Sequence, residues 1–194
     1  MARRKNSASA LGVPGQSNGL ATLQSDRGDE TQALFMDQWA AGVVTLAGAL
    51  ASQNDYLAVW CEHHDDLLAE LPSGAFHAIQ VKTNSAQGAT WKCSDSGFID
   101  AVRKFSEHES QYASQVEQYR FFSNARPYIP AKTAATPSTL ASSPVRIRDQ
   151  CRLAVDANGI PSPYKASFDA LVAAAGIAPE LIFKVLRKLE FQKG

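Results

Sequence analysis

The segment from Phe76 to Thr83 constrains the fold of this chain most, because it alternates as a β-strand does and follows a turn signal. Successive residues of a strand point to opposite faces of a sheet. One face of this segment carries Phe76, Ala78, Gln80 and Lys82, and the other carries His77, Ile79, Val81 and Thr83. The turn Pro72-Ser73-Gly74 favours a chain reversal. We therefore expect residues 66–71 and 76–83 to form an antiparallel hairpin.

Apolar residues at helical spacing predict a helix before the hairpin. Between about Thr31 and Ser52 they recur every three or four positions. This spacing is typical of an amphipathic helix that packs one face on a core. The predicted buried face consists of Phe35, Trp39, Val43, Leu46 and Leu50.

Further segments complete the expected order of elements. Aromatic and β-branched residues predict strands over 56–62 and 119–123, and apolar spacing predicts a helix over about 96–115. Toward the C-terminus, one helix is expected over 164–175 and another from Pro179. The apolar face of the last helix comprises Ile182, Val185, Leu186 and Leu189.

This order of elements predicts an α/β fold, namely a mixed sheet flanked by helices with a C-terminal helical extension. Composition divides the chain further, because some stretches are rich in Ser, Gly, Pro and Thr and others are apolar. The predicted parts are a disordered tail (1–28), a core (29–125), a loop or linker (126–163) and C-terminal helices that pack on the core (164–194).

The charge balance excludes a protein that binds nucleic acid through bulk positive charge. The 194 residues include 19 Lys+Arg and 19 Asp+Glu. Residues 1–99 hold 6 basic and 10 acidic side chains, net −4, whereas residues 100–194 hold 13 and 9, net +4. This asymmetry is expected of a metal-dependent enzyme that acts on a polyanion, and it is equally within the ordinary variation of soluble domains.

Cysteine content and hydropathy indicate a soluble protein of the cytoplasm. Three cysteines without a CxxC pair argue against a disulfide framework and against a cysteine-based zinc site. The basic start of the chain is not followed by an apolar segment, so no secretory signal is predicted. No apolar run has the length that a membrane span requires, and no membrane contact is expected.

An acidic cluster and a lysine carry the candidate chemistry. The cluster Glu62-His63-His64-Asp65-Asp66 runs from the end of the first predicted strand to the start of the hairpin, and Gln80 and Lys82 lie on one face of the hairpin's second strand. Antiparallel pairing brings Asp66 toward Gln80 and Lys82. The oxygens of Asp66, Glu62 and Gln80 are ligands of the kind that Mg²⁺ prefers, and Lys82 is able to orient or deprotonate water or to offset transition-state charge. The set predicts metal-dependent phosphodiester hydrolysis.

Other interpretations of these residues exist. Gln80 and Lys82 are also compatible with a solvent-facing strand edge, and Asp65 and Asp66 with turn or capping chemistry. A His-based metallohydrolase is disfavoured, because adjacent histidines on a strand face opposite ways.

The run from Asp55 to Leu67, followed by Ile79-Gln80-Val81-Lys82-Thr83, resembles the double-stranded-DNA nuclease domain of bacterial anti-phage effectors. Such domains occur in CBASS systems, where a second domain senses a cyclic oligonucleotide, and beside HerA-type ATPases. The segment from Tyr119 to Asn124 resembles the family's strand that ends in Ser/Thr-Asn. The resemblance covers about residues 29–191.

The resemblance implies a restriction-endonuclease-like PD-(D/E)xK fold and cleavage of duplex DNA with Mg²⁺, for which Mn²⁺ substitutes. It implies Asp66 as the main metal ligand, Glu62 and Gln80 as further ligands, and Lys82 as the catalytic lysine. Gln38 in the first helix becomes a supporting site residue, although Asp37 precedes it where the family has an aromatic residue. Asp65 remains an alternative to Asp66.

Effectors of this family normally continue into a sensor or assembly domain, whereas the sequence ends at Gly194. We therefore expect control by homo-oligomerisation or by a partner, either a cyclic-oligonucleotide sensor or a HerA-type ATPase. The alternative is a catalytically silent DNA-binding or scaffold subunit of a defence complex. In the nuclease interpretation, basic residues of the C-terminal half line the duplex phosphates. These are Arg103, Lys104, Arg120, Arg126, Arg146 and Arg148.

Overall fold

The computed structural model describes residues 27–51, 55–61, 67–84, 86, 88–131, 133 and 135–193, with the backbone alone at 27–35 and 37. The predicted tail therefore lies outside the described residues, apart from its last two. The described helices are α1 (Arg27–Leu50), α2 (Ser96–Tyr112), α3 (Pro137–Ala141), α4 (Pro144–Leu153), α5 (Tyr164–Ala175) and α6 (Pro179–Lys188). The described strands are β1 (Ala58–Cys61), β2 (Leu67–Glu70), β3 (Phe76–Lys82), β4 (Thr90–Trp91), β5 (Val116–Ser123), β6 (Arg126–Pro127) and β7 (Leu189–Lys193).

The predicted hairpin is confirmed. Strands β2 and β3 pair antiparallel, with Leu67 opposite Ile79. Between them the Leu71 N–H donates to the Ala75 carbonyl at 2.8 Å, and Gly74 has a positive φ of 79°. Glycine adopts that conformation without the steric cost that a side chain adds, so the turn fixes the register of the two strands.

A mixed five-stranded sheet organises the domain, in the order β1-β2-β3-β5-β7. The first three strands are antiparallel, whereas β3, β5 and β7 run parallel. Helix α2 connects β3 to β5, as a parallel pair requires a crossover. A small second sheet pairs β4 with β6. This arrangement confirms the α/β, restriction-endonuclease-like prediction.

Two apolar clusters cover the two faces of the sheet. On one face, α1 packs through Ala41 against Leu67, Ile79 and Val81. On the other face, a larger cluster joins Ala78 and Phe121 of the sheet to α2, α4, α5 and α6. Successive side chains of β3 point to opposite faces of the sheet, so Ala78 joins one cluster while Ile79 and Val81 join the other.

Helix α1 buries a different face from the one that the sequence predicted. Trp39, Val43, Leu46 and Leu50 are exposed by 64, 63, 46 and 89%, respectively. The small residues Ala41 and Thr45 are buried instead. A Cβ atom added at Gly42 would lie 3.5 Å from Leu67, so this side of the helix lies close to the sheet. The side chain of Phe35 is outside the described residues.

The C-terminal third contains more regular structure than the sequence predicted. Helix α5 ends before Gly176 (φ 68°) and α6 begins at Pro179, as expected. However, residues 126–163 include β6, α3, α4 and a short 3-10 helix. Leu189, predicted on the last helix, begins β7 and pairs with Tyr119. Within the described ranges, no helix is both long and apolar enough to cross a membrane.

Candidate active site

Gln80 and Lys82 lie on one face of β3, at the C-terminal end of that strand. Gln80 is only 1% exposed. It follows Ala78, which packs in the cluster on the α2 side of the sheet. The Cδ atom of Lys82 lies 3.9 Å from the position that a Cβ atom would occupy on Gly97, at the start of α2. The lysine chain therefore extends past the first turn of this helix.

Lys82 lines a cleft of about 870 Å³ between the end of β3, β4 and the start of α2. Lys92, Ser96 and Gly97 also line this cleft. The N-terminus of a 17-residue helix carries partial positive charge and unpaired amide groups, which favour an anion such as phosphate. The carboxylate of Asp95 fixes the loop by accepting from the Lys92 N–H at 2.8 Å. The cleft is therefore lined by two lysines, a helix N-terminus and the carboxylate of Asp95.

Side chains for which the sequence predicted no role in the site hold the cleft in shape. The indole N–H of Trp91 donates to the Ser123 hydroxyl at 2.8 Å. The Asn124 side chain accepts from the Asn84 N–H at 2.9 Å and donates to the Asn84 carbonyl at 3.1 Å. These bonds join the ends of β3 and β5, where Lys82 and Ser123 are paired. A single tryptophan in an otherwise polar loop was the available signal.

Helix α1 approaches the same strand ends from the opposite face of the sheet. A cavity of about 160 Å³ is lined by Ala40, Ala41 and Val44 of α1 together with Lys82 and Thr83. Gln38 lies half-buried on α1, two residues before Ala40. Helix α1 therefore borders the C-terminal end of β3, where Lys82 lies.

The acidic cluster from Glu62 to Asp66, including His63, His64 and Asp65, lies outside the described residues. Strand β1 ends at Cys61, and β2 begins at Leu67. Among the described residues, no three His, Cys, Asp or Glu side chains are grouped to hold a metal ion. Gln80 is the one proposed ligand that the described part includes, and its amide oxygen is a hard donor that fits a divalent cation.

The basic residues expected along the DNA divide into two groups. Arg148 is directed inward, with its side chain 14% exposed and paired to Asp149 at 2.8 Å and to Glu190 at 3.0 Å. Arg103 bonds the Ala175 carbonyl, and Arg120 bonds Gln118, so both are engaged in packing the fold. The members of the second group are exposed and comprise Lys104, Arg126 and Arg146. Because its guanidinium is engaged within the fold, Arg148 is not available to contact duplex phosphates as the sequence predicted.

The family model described as "Cap4, dsDNA endonuclease domain" matches residues 26–193. No significant match to a curated protein or to a solved structure was found. The matched region includes the whole mixed sheet, the cleft beside Lys82 and all six described helices. It bears out the resemblance to the nuclease domain of CBASS-type anti-phage effectors. The chain therefore belongs to the Cap4 family of dsDNA endonuclease domains.

Proposed function

We propose that this domain hydrolyses phosphodiester bonds of double-stranded DNA with the aid of Mg²⁺, as an effector of anti-phage defence. The family assignment makes it a DNA endonuclease and implies a divalent metal ion. The observation that carries the finer proposal is the position of Gln80 and Lys82. They lie on one face of β3, where Gln80 is buried and Lys82 lines a cleft together with Lys92.

The proposed metal ligands are Asp66, Glu62 and Gln80. Asp66 directly precedes Leu67 in the chain, Leu67 is opposite Ile79, and Gln80 is the next residue of β3. Covalent connection thus limits how far the carboxylate is from the Gln80 amide. Two carboxylates and an amide oxygen form a hard donor set, which suits Mg²⁺ and also Mn²⁺. Asp65 is the alternative to Asp66 as the main ligand.

When bound, Mg²⁺ lowers the pKa of a coordinated water and neutralises charge on the phosphate. The ammonium of Lys82 is proposed to hold the attacking water and to offset the charge that develops on the phosphate oxygens. In the reaction, a phosphorus–oxygen bond forms to water and another breaks to a deoxyribose oxygen, which takes up a proton. Gln38 is proposed as a supporting residue from α1.

The test is cleavage of supercoiled and linear duplex DNA in Mg²⁺, with wild type compared to Lys82→Ala and Asp66→Asn. We expect each substitution to lower the rate by about 100-fold or more, the usual effect of removing a charged catalytic group. Lys184→Ala, which removes an exposed lysine of α6, is the matched control and should retain the wild-type rate. Retention of activity in Lys82→Ala would place the chemistry elsewhere.

A second pair of variants identifies the carboxylate. Asp65→Asn should cost much less activity than Asp66→Asn if Asp66 is the main ligand, and the reverse order would assign Asp65. Raising the Mg²⁺ concentration should restore part of the rate in a variant whose metal binding is weakened. It should not restore Lys82→Ala.

Control of the nuclease is part of the proposal, since unrestricted cleavage of DNA harms the cell that makes it. A cyclic-oligonucleotide sensor, a HerA-type ATPase or self-association is the proposed source of control. Lysate from phage-infected cells supplies an activator if one is needed. Duplex binding without cleavage under every condition would favour a silent scaffold subunit instead.

Free thiols at Cys93 and Cys151 fit the reducing cytoplasm that we propose as the location.

A further inference from the structure

Helix α1 presents an apolar stripe away from the sheet. Trp39, Val43 and Leu50 are exposed by 64, 63 and 89%, while Met36 and Leu46 are exposed by 64 and 46%. Large apolar side chains that are exposed singly are ordinary, but a contiguous row of this kind marks an interaction surface. We name these five residues, Met36, Trp39, Val43, Leu46 and Leu50, the α1 stripe.

The stripe cannot be buried by turning the helix on its own sheet. Each residue rotates an α-helix by about 100°, so the five positions fall within an arc of about 80°. Ala41 and Thr45 lie on the opposite side, where they are 1 and 2% exposed. A Cβ atom at Gly42 would already be in van der Waals contact with Leu67 and Cys61, at 3.5 and 3.6 Å, so this side of α1 lies close against the sheet. The small face is packed on the sheet, and among the described residues none covers the stripe.

The spacing of the stripe identifies the kind of surface that complements it. Its members are separated by three, four, three and four residues. This is the a/d pattern of a heptad repeat, which packs knobs into holes against a helix with the same pattern. Within the described residues, α1 is the helix with such an exposed row. A second copy of this chain supplies the matching pattern through two-fold symmetry.

We propose that α1 stripes of two chains pack against each other and form a homodimer. The five side chains expose on the order of 600 Å² per chain, so a symmetric pair buries on the order of 1,200 Å², the lower end of stable interfaces. All five stripe residues are apolar, and Asp37 is the one charged residue between positions 36 and 50, so the stripe itself adds no ion to be desolvated at the seam.

The same composition argues against a membrane surface as the occupant. Helices that lie in a bilayer interface carry Lys and Arg along their polar face, and residues 38–50 contain neither. The side opposite the stripe is occupied by the sheet, through Ala41. A protein helix is therefore the better complement.

Pairing through the stripe would also act on the candidate site. Ala40, Ala41 and Val44 of α1 line the small cavity that Lys82 and Thr83 close from the sheet. A second helix against the outer side of α1 holds these residues in place. Dimerisation is thus positioned to stabilise the strand end that carries the catalytic lysine, as the control of the nuclease requires.

The first test measures the mass of the full chain in solution by light scattering or sedimentation. We expect twice the chain mass of 20.9 kDa for wild type. Val43→Glu should halve that mass, because it places a charge at the centre of the stripe. Leu153→Glu is the matched control, since Leu153 is 80% exposed on α4, and it should remain a dimer. A wild type that is monomeric at its highest soluble concentration overturns the proposal, whatever its nuclease activity.

The second test does not depend on a disruptive substitution. Val43 is the middle residue of the stripe, so it lies beside its own copy in a parallel pair and in a centred antiparallel pair. In a Cys61→Ser background, Val43→Cys should form an intermolecular disulfide under mild oxidation, whereas Leu153→Cys should not. Equal cross-linking of the two variants, or a Val43→Glu protein that stays folded and dimeric, would contradict the proposal. If wild type stays monomeric and sediments with phosphatidylglycerol vesicles, the stripe binds a membrane and the proposal is wrong.

Discussion

His77 is a buried base on the face of β3 opposite Gln80 and Lys82. Its Nδ1 atom is hydrogen-bonded to the Tyr56 hydroxyl at 2.7 Å, and its Nε2 atom is 4.0 Å from the exposed carboxylate of Glu117. Burial, and next the charge of Arg120, lower the pKa of His77 from 6.5 to about 4. The same arginine lies over the Tyr56 ring, 5.6 Å from its centre. The surroundings therefore favour a neutral imidazole.

This pKa predicts an acid-sensitive fold. Below pH 6.5 the unfolded chain binds a proton at His77, whereas the folded chain does so only near pH 4. The free energy of unfolding should therefore fall as the pH drops from 6.5 to 4, by about 3 kcal/mol from this group. Urea unfolding across this range measures the loss.

A variant isolates the contribution of His77 from that of the carboxylates. His77→Gln keeps a side chain able to bond the Tyr56 hydroxyl but binds no proton. Its stability should vary less with pH than that of wild type between 6.5 and 4. Parallel pH profiles for the two proteins would show that His77 is not the responsible group.

At the scale of elements, the junction between α6 and β7 is fastened by one lysine. The ammonium of Lys188 donates to the Glu109 carboxylate at 2.8 Å, and to the carbonyls of Ala113 and Val116 at 3.1 and 2.9 Å. Glu109 also accepts from the Tyr119 hydroxyl at 2.9 Å. The carboxylate is on α2, with its side chain 3% exposed. The last strand is thereby tied to the crossover connection between β3 and β5.

Substitution of Lys188 alone should destabilise the domain more than substitution of both Lys188 and Glu109. Lys188→Met leaves a buried carboxylate with only part of its hydrogen bonding, which typically costs about 3 kcal/mol of unfolding free energy. The double variant Glu109→Gln/Lys188→Met should recover part of that loss, since the remaining amide carries no charge. Denaturant unfolding of the three proteins gives both values.

The control for this comparison is an exposed pair of the same type. Lys165→Met removes an i,i+4 partner of Asp169, whose side chain is 54% exposed. Such a pair contributes about 0.5 kcal/mol or less. A Lys188→Met protein as stable as Lys165→Met would mean that water enters to solvate Glu109.

The elements that depend on neighbouring residues could be predicted, and those that depend on distant ones could not. The Pro72-Ser73-Gly74 turn determines the β2–β3 hairpin locally, and Gly176 ends α5 in the same way. Strand β7 forms because β5, some seventy residues earlier, offers a parallel edge, which no local pattern of Leu189–Lys193 indicates. For α1, periodicity located an apolar face, but it does not specify whether the same chain or another covers it.

At the scale of the whole molecule, the basic surplus of the C-terminal half is largely used inside the fold. Arg148 and Arg152 both bond Glu190, and Lys188 bonds Glu109. Net charge by sequence segment therefore overstates the cations available to DNA. The sequence placed Gln80 and Lys82 on one face, but it did not indicate that Trp91 and Asn124 shape the cleft, because these contacts join segments about thirty to forty residues apart.

The cations that remain at the cleft predict how DNA binding depends on salt. Lys92 and Thr90 both line the cleft, and Arg126 of β6 pairs with Thr90 of β4. The side chains of Lys92 and Arg126 are exposed. Each phosphate contact that is removed should lower the slope of log K against log salt by about 0.9. Lys92→Ala and Arg126→Ala should each show this decrease in duplex binding, measured without divalent metal so that no cleavage occurs.

Arg152→Ala is the contrasting variant, because Arg152 bonds the Leu189 carbonyl and Glu190. We expect it to lower the free energy of unfolding while the salt dependence of DNA binding stays as in wild type. If Arg152→Ala changes the slope and Lys92→Ala does not, the duplex runs along α4 and β7 and not along the cleft. Because Lys82 lies in that cleft, the salt dependence also tests whether the path of the DNA passes the proposed catalytic lysine.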